Sequence, residues 1–178
     1  VTIPPILDDY IVTSIGREAF GYNLHVPPLA ANIAQTRDSL YVSVVEVEIP
    51  PTVTNIDENA FFYCEYLTKI TIPSSVKTIG SRAFYGTPWF ESKPDGCVYI
   101  NNVLYCYKGE MPENTHIDVK YGTTQISGFA FDSYKNLSSI TIPDSVEDIG
   151  RFAFYSCSNL ERAIIPDSVK SIGEYAFY

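Results

Sequence analysis

The stretch Leu137 to Phe154, LSSITIPDSVEDIGRFAF, decides the fold because the chain writes it twice more. Leu67 to Phe84 reads LTKITIPSSVKTIGSRAF, and Leu160 to Phe177 reads LERAIIPDSVKSIGEYAF. Degenerate copies run from Val44 to Phe61 and from Asn114 to Phe131. An Ala-Phe pair marks the register at Ala19, Ala60, Ala83, Ala130, Ala153 and Ala176, in steps of 41, 23, 47, 23 and 23 residues. The period is therefore 23, with extra chain inserted at about 21–43 and about 85–113. A repeat of this length cannot close a core alone and must stack on its neighbours.

Within one repeat, Ile70 and Ile72 alternate with Lys69 and Thr71, the period-2 signature of a short strand with one buried face. Pro50, Pro73, Pro143 and Pro166 then end the strand, since proline has no N–H to give a ladder. The Pro-Ser-Ser or Pro-Asp-Ser that follows is turn chemistry. Val76 and Ile79 point back inward, and the next column holds Gly16, Asp57, Gly80, Ser127, Gly150 and Gly173. Gly, Asp and Ser together form an N-cap set, so a single helical or 3₁₀ turn is expected to carry the Ala-Phe pair inward. The expected architecture is an α/β-type, mostly β repeat solenoid in one domain over 1–178. Its short parallel strands stack at about 4.8 Å. Phe20, Phe61, Phe84, Phe131, Phe154 and Phe177 should form its aromatic spine.

Composition narrows the function classes. A net charge of −9 repels phosphate backbones and anionic headgroups, so nucleic acid is not an expected partner. No window approaches the roughly 18 apolar residues of a membrane-spanning helix, and no membrane insertion is expected of this segment. Two histidines against fourteen tyrosines and ten phenylalanines leave little titratable chemistry and much aromatic surface.

The pattern L-x-x-I-x-I-P-x-S-V-x-x-I-G-x-x-A-F-x-x-C, matched at every position between Leu137 and Leu160, resembles the BspA-like leucine-rich repeats. The resemblance covers Val44 to Phe84 and Asn114 to Tyr178 well and Val1 to Tyr22 loosely. Asp57 and Ser127 replace the glycine, Lys120 replaces the proline, and only Cys64 and Cys157 fill the cysteine column. The resemblance implies a right-handed leucine-rich-repeat superhelix. It also implies an extracellular or cell-surface protein of host-associated bacteria, adhesive toward protein or polysaccharide, with host matrix proteins among the partners. Both termini fall inside a repeat, so the chain is expected to be part of a longer one, and its end strands invite weak end-to-end self-association.

Cys64 and Cys157 share a column about four rungs apart, beyond disulfide reach, and read as buried apolar fillers. Val98 to Ile100 and Val103 to Tyr105 read as a hairpin closed by Asn101-Asn102. The simplest register sets Cys97 opposite Cys106, and a disulfide, two reduced thiols or a shifted register remain alternatives. Trp89, Phe90, Tyr99, Tyr105 and Tyr107 crowd this insertion, either as interface anchors or as packing onto the solenoid.

Motifs for catalysis or phosphate binding are absent, and no cofactor or metal is expected. His116 and Asp118, at i and i+2 on a strand, face one way and could suit a metal or an acid–base pair, or simply face solvent. His25 has no assignable partner, and the sequon Asn136-Leu137-Ser138 receives no role because the repeat dictates Leu137. The non-core ladder columns read Thr2, Glu48, Thr71, Asp118, Thr141, Ile164 and Glu46, Lys69, His116, Ser139, Arg162. Glu48, Lys69, Thr71, His116, Asp118, Thr141 and Arg162 are the candidate ligand-binding residues, on a concave face suited to a protein or glycan surface. A non-enzymatic binding module is the leading expectation. A structural spacer that binds nothing is the alternative, and a hydrolase using Asp118 and His116 ranks a distant third.

Overall fold

A computed structural model describes residues 1–7, 10–20 and 44–178. The insertion expected at 21–43, with His25, lies outside the described residues. The chain divides into two compact units, Val1–Val76 with Arg82–Lys93 and Lys77–Ser81 with Pro94–Tyr178.

The first unit holds the antiparallel pair β1 (Ile6–Leu7) and β2 (Tyr10–Ile11), and the parallel pair β3 (Ser14–Ile15) and β5 (Asn55–Ile56). A second parallel pair joins β4 (Glu46–Glu48) to β6 (Lys69–Thr71), and α1 (Pro88–Glu91) is capped by Thr87. The second unit holds β7 (Thr78–Ile79), the hairpin β8 (Gly96–Ile100) and β9 (Val103–Lys108), and two parallel ladders. One ladder orders β10 (Thr115–Asp118), β12 (Leu137–Thr141) and β14 (Arg162–Ile164). The other runs from β9 through β11 (Gln125–Ile126) and β13 (Asp148–Ile149) to β15 (Ser171–Ile172). This is the mostly β leucine-rich-repeat solenoid that the repeat predicts, and α1 is the one helix among the described residues.

The core follows the columns. Val47, Ile56, Ile79, Ile126 and Ile149 are fully buried, as are Ala60, Ala83, Ala130 and Ala153. Phe20, Phe61 and Phe84 stack at 5.0 and 5.5 Å in the first unit, and Phe131, Phe154 and Phe177 at 5.3 and 4.9 Å in the second. The serine after the turn is equally explained. Ser75 Oγ donates to Val53 O, Ser145 Oγ to Thr123 O and Ser168 Oγ to Val146 O, each tying a turn to the preceding coil.

The expected helical or 3₁₀ turn is instead a chain of overlapping β-turns. Ala153 N–H donates to Gly150 O, Tyr155 N–H to Phe152 O and Cys157 N–H to Phe154 O. Phe152 and Ser156 hold left-handed φ values of 56° and 55°, which a right-handed helix cannot contain. The alternate N–H groups are thereby turned outward along the stack: Phe152 N–H reaches Glu174 O, Phe154 N–H Ala176 O and Ser156 N–H Tyr178 O. A helix would have spent these donors internally, whereas here stacking between coils uses them.

The glycine column is not an N-cap set either. A Cβ on Gly150 would sit 2.3 Å from Gly128 N, and one on Gly173 would sit 2.3 Å from Arg151 N, so the preceding coil's backbone forbids a side chain. The left-handed position lies two residues later, at Glu18, Asn59, Arg82, Phe129, Phe152 and Tyr175. Ser127 follows the hairpin coil and is fully buried; its Oγ donates to Ile79 O, while Gln125 Oε1 accepts from Ile79 N–H.

The hairpin register corrects the disulfide geometry. Ile100 faces Val103 and Tyr99 faces Leu104 around Asn101, but a bulge at Tyr105 then sets Val98 opposite Cys106 and Cys97 opposite Tyr107. The extra residue turns Cys97 and Cys106 to opposite faces, and no disulfide joins them. The bulge residue Tyr105 is buried, and β9 is itself a rung of the solenoid, with Leu104 in register with Ile126.

Candidate functional site

The ladder faces assemble from the strand registers. In the first unit, Glu46 aligns with Lys69 and Glu48 with Thr71, while Val47 and Ile70 between them are buried. Thr2 bridges to Glu48. Lys69 Nζ pairs with Glu46 across the rung, which holds the glutamate below and the lysine above their ordinary pKa values. Both side chains stay largely in solvent, so this pair orients charge more than it stabilises the fold.

In the second unit, His116 aligns with Ser139 and Arg162, and Asp118 with Thr141 and Ile164. Here the side chains form a network. His116 Nδ1 lies 2.7 Å from Ser139 Oγ, and His116 Nε2 lies 3.1 Å from Asp118 Oδ1 and 3.3 Å from Thr141 Oγ1. With Asp118 ionised, Nε2 carries the ring proton and Nδ1 accepts from the Ser139 hydroxyl. Hydrogen bonds from His116 and Thr141 hold the Asp118 carboxyl below its usual range. Arg162 stands exposed on the next rung.

Serine, histidine and aspartate thus meet in hydrogen-bonding order: the repeat column sets Ser139 beside His116, and the structure adds the bonds that join them to Asp118. His116 and Asp118 are 47% and 78% exposed, and β12 has a parallel strand on each side. Among the described residues no group of three or more His, Cys, Asp or Glu side chains is placed to hold a metal ion. No helix there is long and apolar enough to cross a membrane.

The insertion aromatics pack inward within their own units. The Trp89 ring meets Phe84 edge-on at 4.9 Å and its backbone N–H donates to Leu67 O, while Phe90 is buried. Tyr107 meets Tyr134 at 4.9 Å, and Lys120 Nζ sits 4.3 Å from the Tyr99 ring centroid with its own N–H on the Tyr99 hydroxyl. The column cysteines are more than apolar fillers. Cys64 Sγ donates to Phe20 O and Cys157 Sγ to Phe131 O, and burial pushes the two thiols up to about 12 and about 11.

One feature escaped sequence reasoning although its signal was present at a spacing of 23. Phe129, Phe152 and Tyr175 occupy the left-handed column of the second unit and stack at 4.9 and 5.3 Å.

Comparison with known proteins follows the fold. The model of the BspA type leucine rich repeat region matches residues 40–108 and 98–178, with six copies. No curated protein matches the chain. Among solved structures, the pneumococcal vaccine antigen PcpA is similar over 99% of this chain and 63% of its own, at 19% identity and a TM-score of 0.47. A leucine rich cell surface protein of Faecalibacterium prausnitzii is 27% identical over 99% of this chain and 44% of its own, with a TM-score of 0.43. A leucine-rich repeat protein of Bacteroides ovatus is 27% identical over 99% of this chain and 42% of its own, with a TM-score of 0.40. The chain therefore spans less than two thirds of each of these proteins. With its repeat, its buried columns and its family match in agreement, the chain belongs to the BspA-type leucine-rich repeat family.

Proposed function

We propose that this chain is a non-enzymatic binding module of an extracellular or cell-surface bacterial protein, recognising a protein or glycan surface through its ladder face. The observation that carries the reading is the exposed, mutually hydrogen-bonded array of His116, Asp118, Ser139 and Thr141 beside Arg162, held rigid by the buried columns beneath it. Rigid polar groups on regular strands lose little entropy on contact and suit broad, shallow, multivalent recognition. Lys69, Glu48 and Thr71 offer the same kind of surface on the first unit.

The test is alanine substitution of Lys69, His116 and Arg162, singly and together, with adhesion read on arrays of host matrix proteins and glycans. Loss of adhesion with an unchanged melting temperature supports the module. Adhesion that is absent, or unchanged in the triple variant, favours a spacer that projects another domain.

A further inference from the structure

We propose that β8 of one copy of this chain pairs edge to edge with β8 of a second copy, antiparallel about a two-fold axis through Val98. This edge is separate from the ladder face of β10, β12 and β14, so the pairing goes beyond the binding reading and neither rests on the other.

The outer strand of the hairpin leaves part of its backbone unpaired. β8 is the last strand of the sheet that runs β15, β13, β11, β9, β8, and only β9 is bonded to it. Across the hairpin, Tyr99 faces Leu104 and Cys97 faces Tyr107. Leu104 and Tyr107 spend their backbone groups on the other side: Leu104 O accepts from Ser127 N–H, and Tyr107 N–H donates to Ala130 O. Facing residues of an antiparallel pair turn their N–H and C=O groups either toward each other or both away. Cys97 and Tyr99 therefore turn theirs outward, and no described residue bonds to the backbone of either. Backbone groups without a protein partner are kept in water, so this edge is open. At the start of the strand, a Cβ on Gly96 would meet nothing within 4 Å.

The pattern on the edge selects a polypeptide, and its symmetry selects the same strand. Outward N–H and C=O groups on alternate residues are the complement of another extended backbone. Reversed end for end about Val98, β8 presents the same groups at the same spacing. Cys97 then meets Tyr99 of the second copy and Tyr99 meets its Cys97, each pair exchanging both N–H···O bonds. In this register a small side chain stands opposite a large one, sulfur beside ring, a contact that Cys opposite Cys or Tyr opposite Tyr does not give. Asp95 falls opposite Asn101 of the second copy, so no like charges meet. Edge strands of proteins that stay single are commonly guarded by lysine, proline or a bulge. The run Gly96–Ile100 carries none of these, and the bulge of the hairpin lies on β9.

The experiment is sedimentation velocity of the 178-residue chain, with reductant present to exclude disulfide-linked species. A reversible monomer–dimer equilibrium is expected at concentrations below about 1 mM. Cys97→Pro should weaken it by about tenfold or more, because it removes an N–H that points away from β9 and so spares the hairpin; a circular dichroism melt checks that the variant is folded. Amide exchange in the parent chain reads the register without any substitution. The Cys97 and Tyr99 amides should exchange fast in dilute solution and slow as the dimer forms, while the Ile100 amide, paired with Val103 inside the hairpin, should be slow throughout. A chain that stays monomeric up to about 1 mM overturns the proposal and leaves the edge to a strand from a different protein. A folded Cys97→Pro variant that dimerises like the parent also overturns it, as does a dimer in which the Cys97 and Tyr99 amides stay fast; either result places the contact elsewhere on the chain.

Discussion

The two units use one coil and differ in what they hang on it. Both bury the Ile, Ala and Phe columns and stack phenylalanines at 4.9 to 5.5 Å. At the left-handed position, however, the first unit carries Glu18, Asn59 and Arg82, and the second carries Phe129, Phe152 and Tyr175. Their ladder faces differ in the same way: one pairs Lys69 with Glu46, and the other links His116, Asp118, Ser139 and Thr141 in a network. The buried columns determine the backbone, and the outward positions are free to diverge. Divergence there is where recognition can be built.

The largest test of this equivalence lies in the spine. Phe61→Ala and Phe154→Ala should each cost about 3–5 kcal/mol, since both rings are buried and stacked on two neighbours. Hydrogen exchange should show the loss concentrated in the unit that carries the substitution. Equal loss in both units would show that they melt as one.

Gly150→Ala should cost about 1–3 kcal/mol in chemical denaturation, because its Cβ meets the backbone of Gly128, whereas Gly16→Ala should stay within about 0.5 kcal/mol, having nothing within 4 Å. A comparable loss at Gly16 would show that backbone conformation, and not the approach of the preceding coil, requires the glycine. Asn59→Ala should cost about 1 kcal/mol, since alanine tolerates φ 58° less well than asparagine; a neutral result would remove conformational preference as the reason for the polar column of the first unit.

The column thiols give each unit a weaker, alkaline signal. Cys64 and Cys157 titrate at about 12 and about 11 in the fold against 9.0 for an ordinary thiol. The folded chain therefore keeps protons that the unfolded chain releases. Their contribution is complete below pH 9 and is lost as pH rises through the folded values, so urea midpoints should fall over that window. Cys64→Ala/Cys157→Ala should flatten the fall.

The smallest effect belongs to Asp118. Its lowered carboxyl stabilises the fold above the ordinary carboxylate pKa and ceases to do so as pH falls through the folded value. A carbon-detected titration should show the low midpoint moving up toward the model-peptide value in His116→Ala. An unmoved midpoint would mean that His116 does not hold the carboxylate.

The 23-residue period made most of the coil legible. Ile70, Pro73, Val76, Ile79 and the Ala83-Phe84 pair announce strand, stop, turn and core without reference to any neighbour. The ladder columns were legible for the same reason, because a parallel stack in register places equivalent residues side by side, as His116, Ser139 and Arg162 are. Three local readings failed. The glycine column is no N-cap set, because a Cβ at Gly150 or Gly173 would meet the preceding coil's backbone. The Ala-Phe segment is not helical because its alternate N–H groups serve the next coil, and Cys97 does not face Cys106 because Tyr105 is bulged and buried. Neither the next coil's carbonyls nor the packing that buries Tyr105 is written in the segment itself.

The sequence by itself determined the repeat, the inward columns and the registers of the parallel ladders, since each follows from a periodicity that only one way of burying isoleucine and phenylalanine satisfies. The tertiary structure alone decided how the turns spend their hydrogen bonds, why the glycines are required, where the two insertion cysteines point and which outward side chains meet. Those outcomes depend on the backbone of another coil lying within a few ångströms, and that proximity exists only once the coils have stacked.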